Sequence, residues 1–212
     1  LAVALLLVPT LASGQEYALV PLKEAAPDDI AAELKSKLAE EGFKVLAGKR
    51  TLVEIWPAKE LALKPDFKAS DTVFSPVQPG ALVGALRFGR KGVDFRGQDI
   101  AGGTYTLRYA YQPVDGNHVG TFATRDFLVM VPAADDQTPE VIADEKQLNS
   151  ASAKAAESSH PAIMPLVKPG AGAAPELVHH EELEWWTLRF EGQAAGGRKV
   201  PLEVIVVGKS AE

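Results

Sequence analysis

The sequence predicts a mostly β protein, an antiparallel β-sandwich of about eight strands carrying one N-terminal amphipathic helix. Three observations predict it. Segments of strand length with period-two alternation recur between Gly-, Pro- and Asn-rich turns; no strand–helix alternation of the kind a parallel sheet requires is present; and no internal repeat marks a solenoid or propeller. The 212 residues are 46% hydrophobic, enough for an ordinary globular core.

Taken in order, residues 1–11 are apolar apart from Thr10 and are followed by Ala12-Ser13-Gly14, a small-x-small pattern that matches a signal-peptidase site. Residues 1–14 are therefore expected to be part of a signal peptide whose start lies upstream. The mature chain, residues 15–212, is expected to fold as one domain in the periplasm or outside the cell. Pro27-Asp28-Asp29 followed by Ile30, Leu34 and Leu38 at four-residue spacing, with Gly42 beyond, predicts a helix over 27–41 lying on a sheet or acting as an arm.

Residues 43–46 and 51–56 around Gly48-Lys49 read as a hairpin ending at Pro57, and the proline-rich stretch 57–80 as a crossing loop. Strands follow at 81–88 and 104–111, the latter placing Tyr105, Tyr109 and Tyr111 on one face. Pro113 to Gly120 contains the turn Asp115-Gly116-Asn117, and 126–131 is an apolar strand stopped by Pro132. Residues 133–160 lack aromatics and are rich in Ala, Ser, Asp and Glu, which predicts a long, partly helical or mobile insertion that Thr138-Pro139-Glu140 could cap. Strands 184–190 and 200–207, joined through Gly196-Gly197, form a terminal hairpin.

Composition removes several function classes. A net charge of −6 without a long basic run argues against nucleic acid and anionic membranes as partners, and the apolar N-terminal run is too short for a spanning anchor, so no membrane insertion is expected after processing. The absence of cysteine excludes disulfides, a lipidated cysteine, thiolate metal sites and cysteine nucleophiles. No Gly-x-Ser-x-Gly elbow or phosphate-binding glycine loop occurs. Pairs of carboxylates such as Asp115, Asp126, Asp135 and Asp136 sit where turn formers and strand ends are usual.

The chemistry left open rests on the four histidines, His118, His160, His179 and His180, all in loops or at strand ends. Imidazoles with Glu181 and Glu182 nearby suit zinc or copper(II), and Met130 and Met164 add soft ligands for copper(I). Adjacent histidines on an extended segment point to opposite faces, so one of the 179–180 pair would join such a site. The same ligands with Asp126 or Glu181 would make a metal-assisted hydrolase. Trp185-Trp186 suggests a platform for a glycan, although alternation places one indole in the core and one toward solvent; Trp56 reads as core.

Thr51-Leu52-Val53-Glu54-Ile55-Trp56, Gly80-Ala81-Leu82-Val83-Gly84, Asp94-Phe95-Arg96-Gly97-Gln98, Gly103-Thr104-Tyr105-Thr106-Leu107-Arg108-Tyr109 and Asp115-Gly116-Asn117-His118-Val119-Gly120 together resemble a group of uncharacterised exported bacterial proteins. The resemblance spans the middle half of the chain. It implies an exported bacterial protein folding as one unit and carries no catalytic residue onto this sequence. The expectation that follows is a non-catalytic binding or envelope-associated module, its ligand a small molecule, glycan or protein. A copper- or zinc-binding protein is the alternative, and the hydrolase the third reading.

Overall fold

The computed structural model describes residues 16–113 and 122–210, and within them the protein is mostly β with antiparallel sheets. The expected leader and most of the turn from Pro113 to Gly120 lie outside the described residues. Twelve strands are present among them: β1 Tyr17–Leu22, β2 Gly42–Ala47, β3 Arg50–Pro57, β4 Leu82–Phe88, β5 Gly92–Val93, β6 Asp99–Ile100, β7 Gly103–Tyr111, β8 Asp126–Pro132, β9 Ala162–Pro165, β10 Glu176–His180, β11 Trp185–Ala194 and β12 Arg198–Val207. Two α-helices, α1 Ala32–Ser36 and α2 Glu145–Ala153, complete the regular structure with three 3-10 turns.

A seven-stranded sheet runs β1-β2-β3-β4-β7-β8-β9, a three-stranded sheet β10-β11-β12, and β5 and β6 form a small hairpin. The expected hairpins are found: Gly48, at φ +58°, turns β2 into β3, and Gly196 and Gly197, both at positive φ, turn β11 into β12. β7 is interior, between β4 and β8. β12 ends its sheet, but its outer edge is engaged by the chain after β9, where Leu166 bridges Val204 and the Val167 amide donates to Glu203 O at 2.9 Å.

One core joins the two sheets. Val45, Val53, Ile55, Leu86, Leu107 and Met130 of the large sheet and Leu188, Phe190, Leu202 and Val204 of the small one belong to a single buried cluster. The rings of Phe43 and Phe190 meet at 5.7 Å across it. Val53, Phe88, Met130, Met164, Ile205 and Val206 surround a cavity of about 20 Å³, room for little more than one water, so the sheets pack closely.

The opposite face of the large sheet is covered in two places. Ile30, Leu34 and Leu38 are buried near Trp56, whose indole N–H donates to Glu24 O at 2.7 Å. The helix expected over 27–41 is, however, a single turn. After Ser36 the chain serves the sheet instead: the Ala39 amide donates to Pro57 O, and Leu38 bridges Ala58. The four-residue spacing recorded buried positions correctly while tertiary hydrogen bonds replaced helical ones. Farther along, α2 lays Leu148 on Ala110, Val129 and Val131, a second small cluster on the outer side of β7 and β8. Its N-cap is Asp144, which accepts from the Lys146 and Gln147 amides, so the helix of the 133–160 insertion starts later than Thr138 would place it.

The expected count of about eight strands falls short because β1, β5, β6, β9 and β10 escape the pattern. β5 and β6 have two residues each, β1 contains Pro21, β9 ends at Pro165 and β10 follows Pro175. Proline suits a strand whose amide faces away from a partner, and it reads as a breaker in sequence.

Candidate functional site

Buried carboxylates come first, because each is the kind of group from which chemistry could be built; Glu54 is paired with Arg87 and Lys44, and four others lie deeper. Asp136 is fully buried and takes the Arg108 guanidinium on both oxygens, at 2.7 and 2.9 Å, with the Thr106 hydroxyl as a further donor. Arg108 also donates to Gly80 O, Glu140 O and Thr138 O, so this pair fastens the 136–142 segment to β7. Asp126 accepts from the Tyr109 hydroxyl and from the Phe74 and Ser75 amides, fastening the crossing loop to β8. Burial pushes the Asp126 carboxyl above the usual aspartate range against the pull of those donors, and burial pushes the Tyr109 phenol far up as well, with Asp126 next to it.

Asp94 holds its own turn by accepting from the Arg96 and Gln98 amides, and reaches β9 through the Ile163 amide at 3.1 Å. Glu203 lies under the stretch after β9: Thr187 donates to it at 2.7 Å, Arg189 Nε at 2.8 Å and the Gly170 amide at 3.0 Å. Burial raises the Glu203 carboxyl, but the bonds from Arg189, Thr187 and Gly170 and the Arg189 charge outweigh it, so it sits below the usual glutamate range. Each of the four accepts at least one bond from another segment of the chain, Asp94 in addition to those within its own turn, and the described residues contain no buried side-chain polar atom without a partner. These clusters hold the structure together.

The three histidines among the described residues do not share a centre. His118 lies outside the described residues. His160 is exposed in the loop before β9, its amide bonded to Ser158 Oγ. His179 stacks flat on Trp186, ring centres 4.2 Å apart and planes within 8°. On the opposite face, as strand alternation requires, His180 Nε2 lies 3.1 Å from Thr187 Oγ1 and 3.4 Å from Glu203 Oε1. Glu181 and Glu182 are exposed in a 3-10 turn, while Met130 and Met164 are buried in the core. Among the described residues no group of three or more histidine and carboxylate side chains is placed to hold a metal ion.

Trp185 and Trp186 do lie on opposite faces, but neither fills the core as alternation alone suggested. Both are half-buried: Trp185 joins Phe95 and Phe122, and Trp186 sits between His179 and Tyr17, whose ring is 5.3 Å away. Trp56, by contrast, is fully buried, as its position beside Pro57 suggested.

The Tyr17–Trp186 contact lies at the start of β1, the strand that carries the feature sequence reading missed. There the first strand of the large sheet meets the small sheet, yet β1 and β10 are not hydrogen-bonded to each other. Where β1 and the start of β2 face Pro175, just ahead of β10, opens a groove of about 400 Å³ lined by Leu19, Val20, Pro21, Glu41, Gly42, Phe43 and Pro175. Leu19 and Phe43 form an apolar floor continuous with the core. The near approach of β2 to β3 behind it depends on Gly42, because a Cβ there would lie 2.1 Å from Ile55 O. No helix of the described residues is long and apolar enough to cross a membrane.

Comparison of the chain with protein-family models, with curated proteins and with solved structures found no match. The groove and the residues around it are therefore read on their own chemistry.

Proposed function

We propose that the protein is an exported, non-catalytic β-sandwich, resident in the periplasm or outside the cell, that binds a ligand in the groove beside β1. The groove carries the reading. Its volume falls in the range of ligand sites, and its floor is apolar and includes the half-buried ring of Phe43. The buried carboxylates are committed to internal hydrogen bonds, which supports binding over catalysis. The apolar run ending at Ala12-Ser13-Gly14 and the resemblance to exported bacterial proteins support the location.

Tryptophan emission tests the reading, because Trp186 packs on Tyr17, two residues along β1 from Leu19 of the groove lining. The purified protein is titrated with a panel of soluble oligosaccharides, short peptides and dispersed lipids. At least one class should give a saturable emission change that Trp186→Phe abolishes, together with a rise in melting temperature; a ligand at one hundred times its Kd adds about 2.7 kcal/mol. If no class gives either response at about millimolar concentration, the binding reading is wrong.

A further inference from the structure

Resting on that binding reading, we propose that the groove takes an extended peptide, apolar and basic at alternate residues, which adds to the free edge of β1 as a further strand. The first argument is the backbone. The Gly48 amide donates to Glu16 O, and the alternation of an antiparallel ladder then makes Ala18 with Leu46 and Val20 with Lys44 the bonded pairs. Tyr17, Leu19 and Pro21 consequently turn their backbone groups away from β2 and toward the groove. Among the described residues nothing bonds to them there.

The register follows from Pro21, which offers a carbonyl but no amide. Leu19 offers both, so the peptide residue opposite Leu19 makes two bonds. Its neighbours two positions away meet Tyr17, which offers both groups, and Pro21, which offers only the acceptor. A six-residue strand of about 20 Å has the length of β1, and its central contacts fall on Leu19 to Pro21, the part of β1 that lines the groove. Side chains of the added strand alternate, so every second one lies over the floor of Leu19 and Phe43 and the others face solvent.

The second argument is charge. Glu41 lines the groove, exposed and with no ion pair among the described residues; Glu40 beside it and Glu16 at the far end of β1 are exposed and unpaired too. Glu41 is the charged residue of the groove lining, and Lys23 follows just past the end of β1. A solvent-facing lysine or arginine on the peptide meets this rim.

The probe is a fluorescein-labelled hexapeptide alternating valine and lysine, followed by anisotropy with the full chain. Saturable binding is expected, weakened roughly tenfold or more when the alternate amides facing β1 are N-methylated, when glutamate replaces lysine, or when the protein carries Leu19→Pro. Glu41→Lys, on an exposed residue, should reduce the preference for lysine over glutamate peptides. Should Leu19→Pro fail to fold, the N-methylated peptide still tests the backbone bonds and Glu41→Lys the charge, both on folded protein. The proposal is overturned if the lysine peptide does not saturate, if N-methylation leaves its affinity unchanged, or if sedimentation shows a dimer that Leu19→Pro breaks and the peptide does not, since the occupant is then a second copy. A Trp186-dependent response to an oligosaccharide or lipid in the absence of peptide binding would sink this inference and leave the binding reading standing.

Discussion

Replacing Arg108 with methionine keeps most of the side-chain volume and removes the guanidinium from a site with no water access. Asp136 then keeps the Thr106 hydroxyl as its remaining side-chain donor, the carbonyls of Thr138 and Glu140 lose theirs, and Gly80 O is left with the Ile142 amide. Breaking a buried ion pair from one side costs about 3–5 kcal/mol, a large part of the total stability of about 5–15 kcal/mol. For a chain of this size each kcal/mol moves the melting temperature by about 2–4 °C, so Arg108→Met should melt about 6–20 °C below wild type. Calorimetry at neutral pH measures it. Adding Asp136→Leu removes the stranded charge and should recover much of the loss. The effect should also be local: the Ile142 amide, which donates to Gly80 O at 3.2 Å, should exchange with solvent faster in the single variant. A melting temperature within about 2 °C of wild type, or unchanged exchange at Ile142, would refute the view that this pair fastens the 136–142 segment.

Val204→Asp places an unpaired carboxylate at a position 1% exposed and should abolish the cooperative melt seen by circular dichroism; a wild-type transition would contradict the core assignment. Gly80→Ala combines a φ of +84° with a Cβ only 2.0 Å from Ile142 O, so a loss of about 1–3 kcal/mol in urea unfolding is expected, and an unchanged midpoint would show that the backbone contact is not tight. Because the Glu203 carboxyl is lowered in the folded state, its stabilisation is complete above its ordinary value of 4.5 and is lost as pH falls through the lower folded value. The gap in melting temperature between wild type and Glu203→Gln should therefore be widest near neutrality and shrink in acid; a gap constant between about pH 3 and 7 would remove Glu203 as its source.

The strands most legible in the sequence were those whose side chains alternate between one buried and one polar face. β7 is the clearest case, with Tyr105, Leu107 and Tyr109 in the main core and Thr106 and Arg108 meeting Asp136 behind it. Arg108 itself was visible only as a charge in an apolar run, because its five donors are satisfied by residues far away in sequence. The helix over 27–41 was misjudged for a related reason: Ile30, Leu34 and Leu38 are buried at helical spacing, but Ala39 bonds to Pro57, a contact no local pattern announces. The groove was illegible altogether. It arises from β1 and the segment just ahead of β10, separated by most of the chain, and both strands were hidden by their prolines. His179 and His180 were correctly assigned to opposite faces, since that follows from the backbone alone. Their actual neighbours, Trp186 on one side and Thr187 with Glu203 on the other, depend on register.

The strand order of the large sheet has a consequence for how the chain acquires its shape. Apart from the small β5–β6 hairpin, each strand lies beside its predecessor in the chain, so these pairings need no later part of the sequence and can form as residues 16–166 emerge. The cover for their apolar side does not yet exist at that point, because Leu188, Phe190, Leu202 and Val204 arrive in the last quarter of the sequence. A polypeptide delivered N-terminus first thus passes through a stage in which an assembled sheet shows a bare greasy face to its surroundings, a stage prone to aggregation. Truncation before residue 176 would make that stage permanent, and such a fragment should be sticky where the whole protein is not.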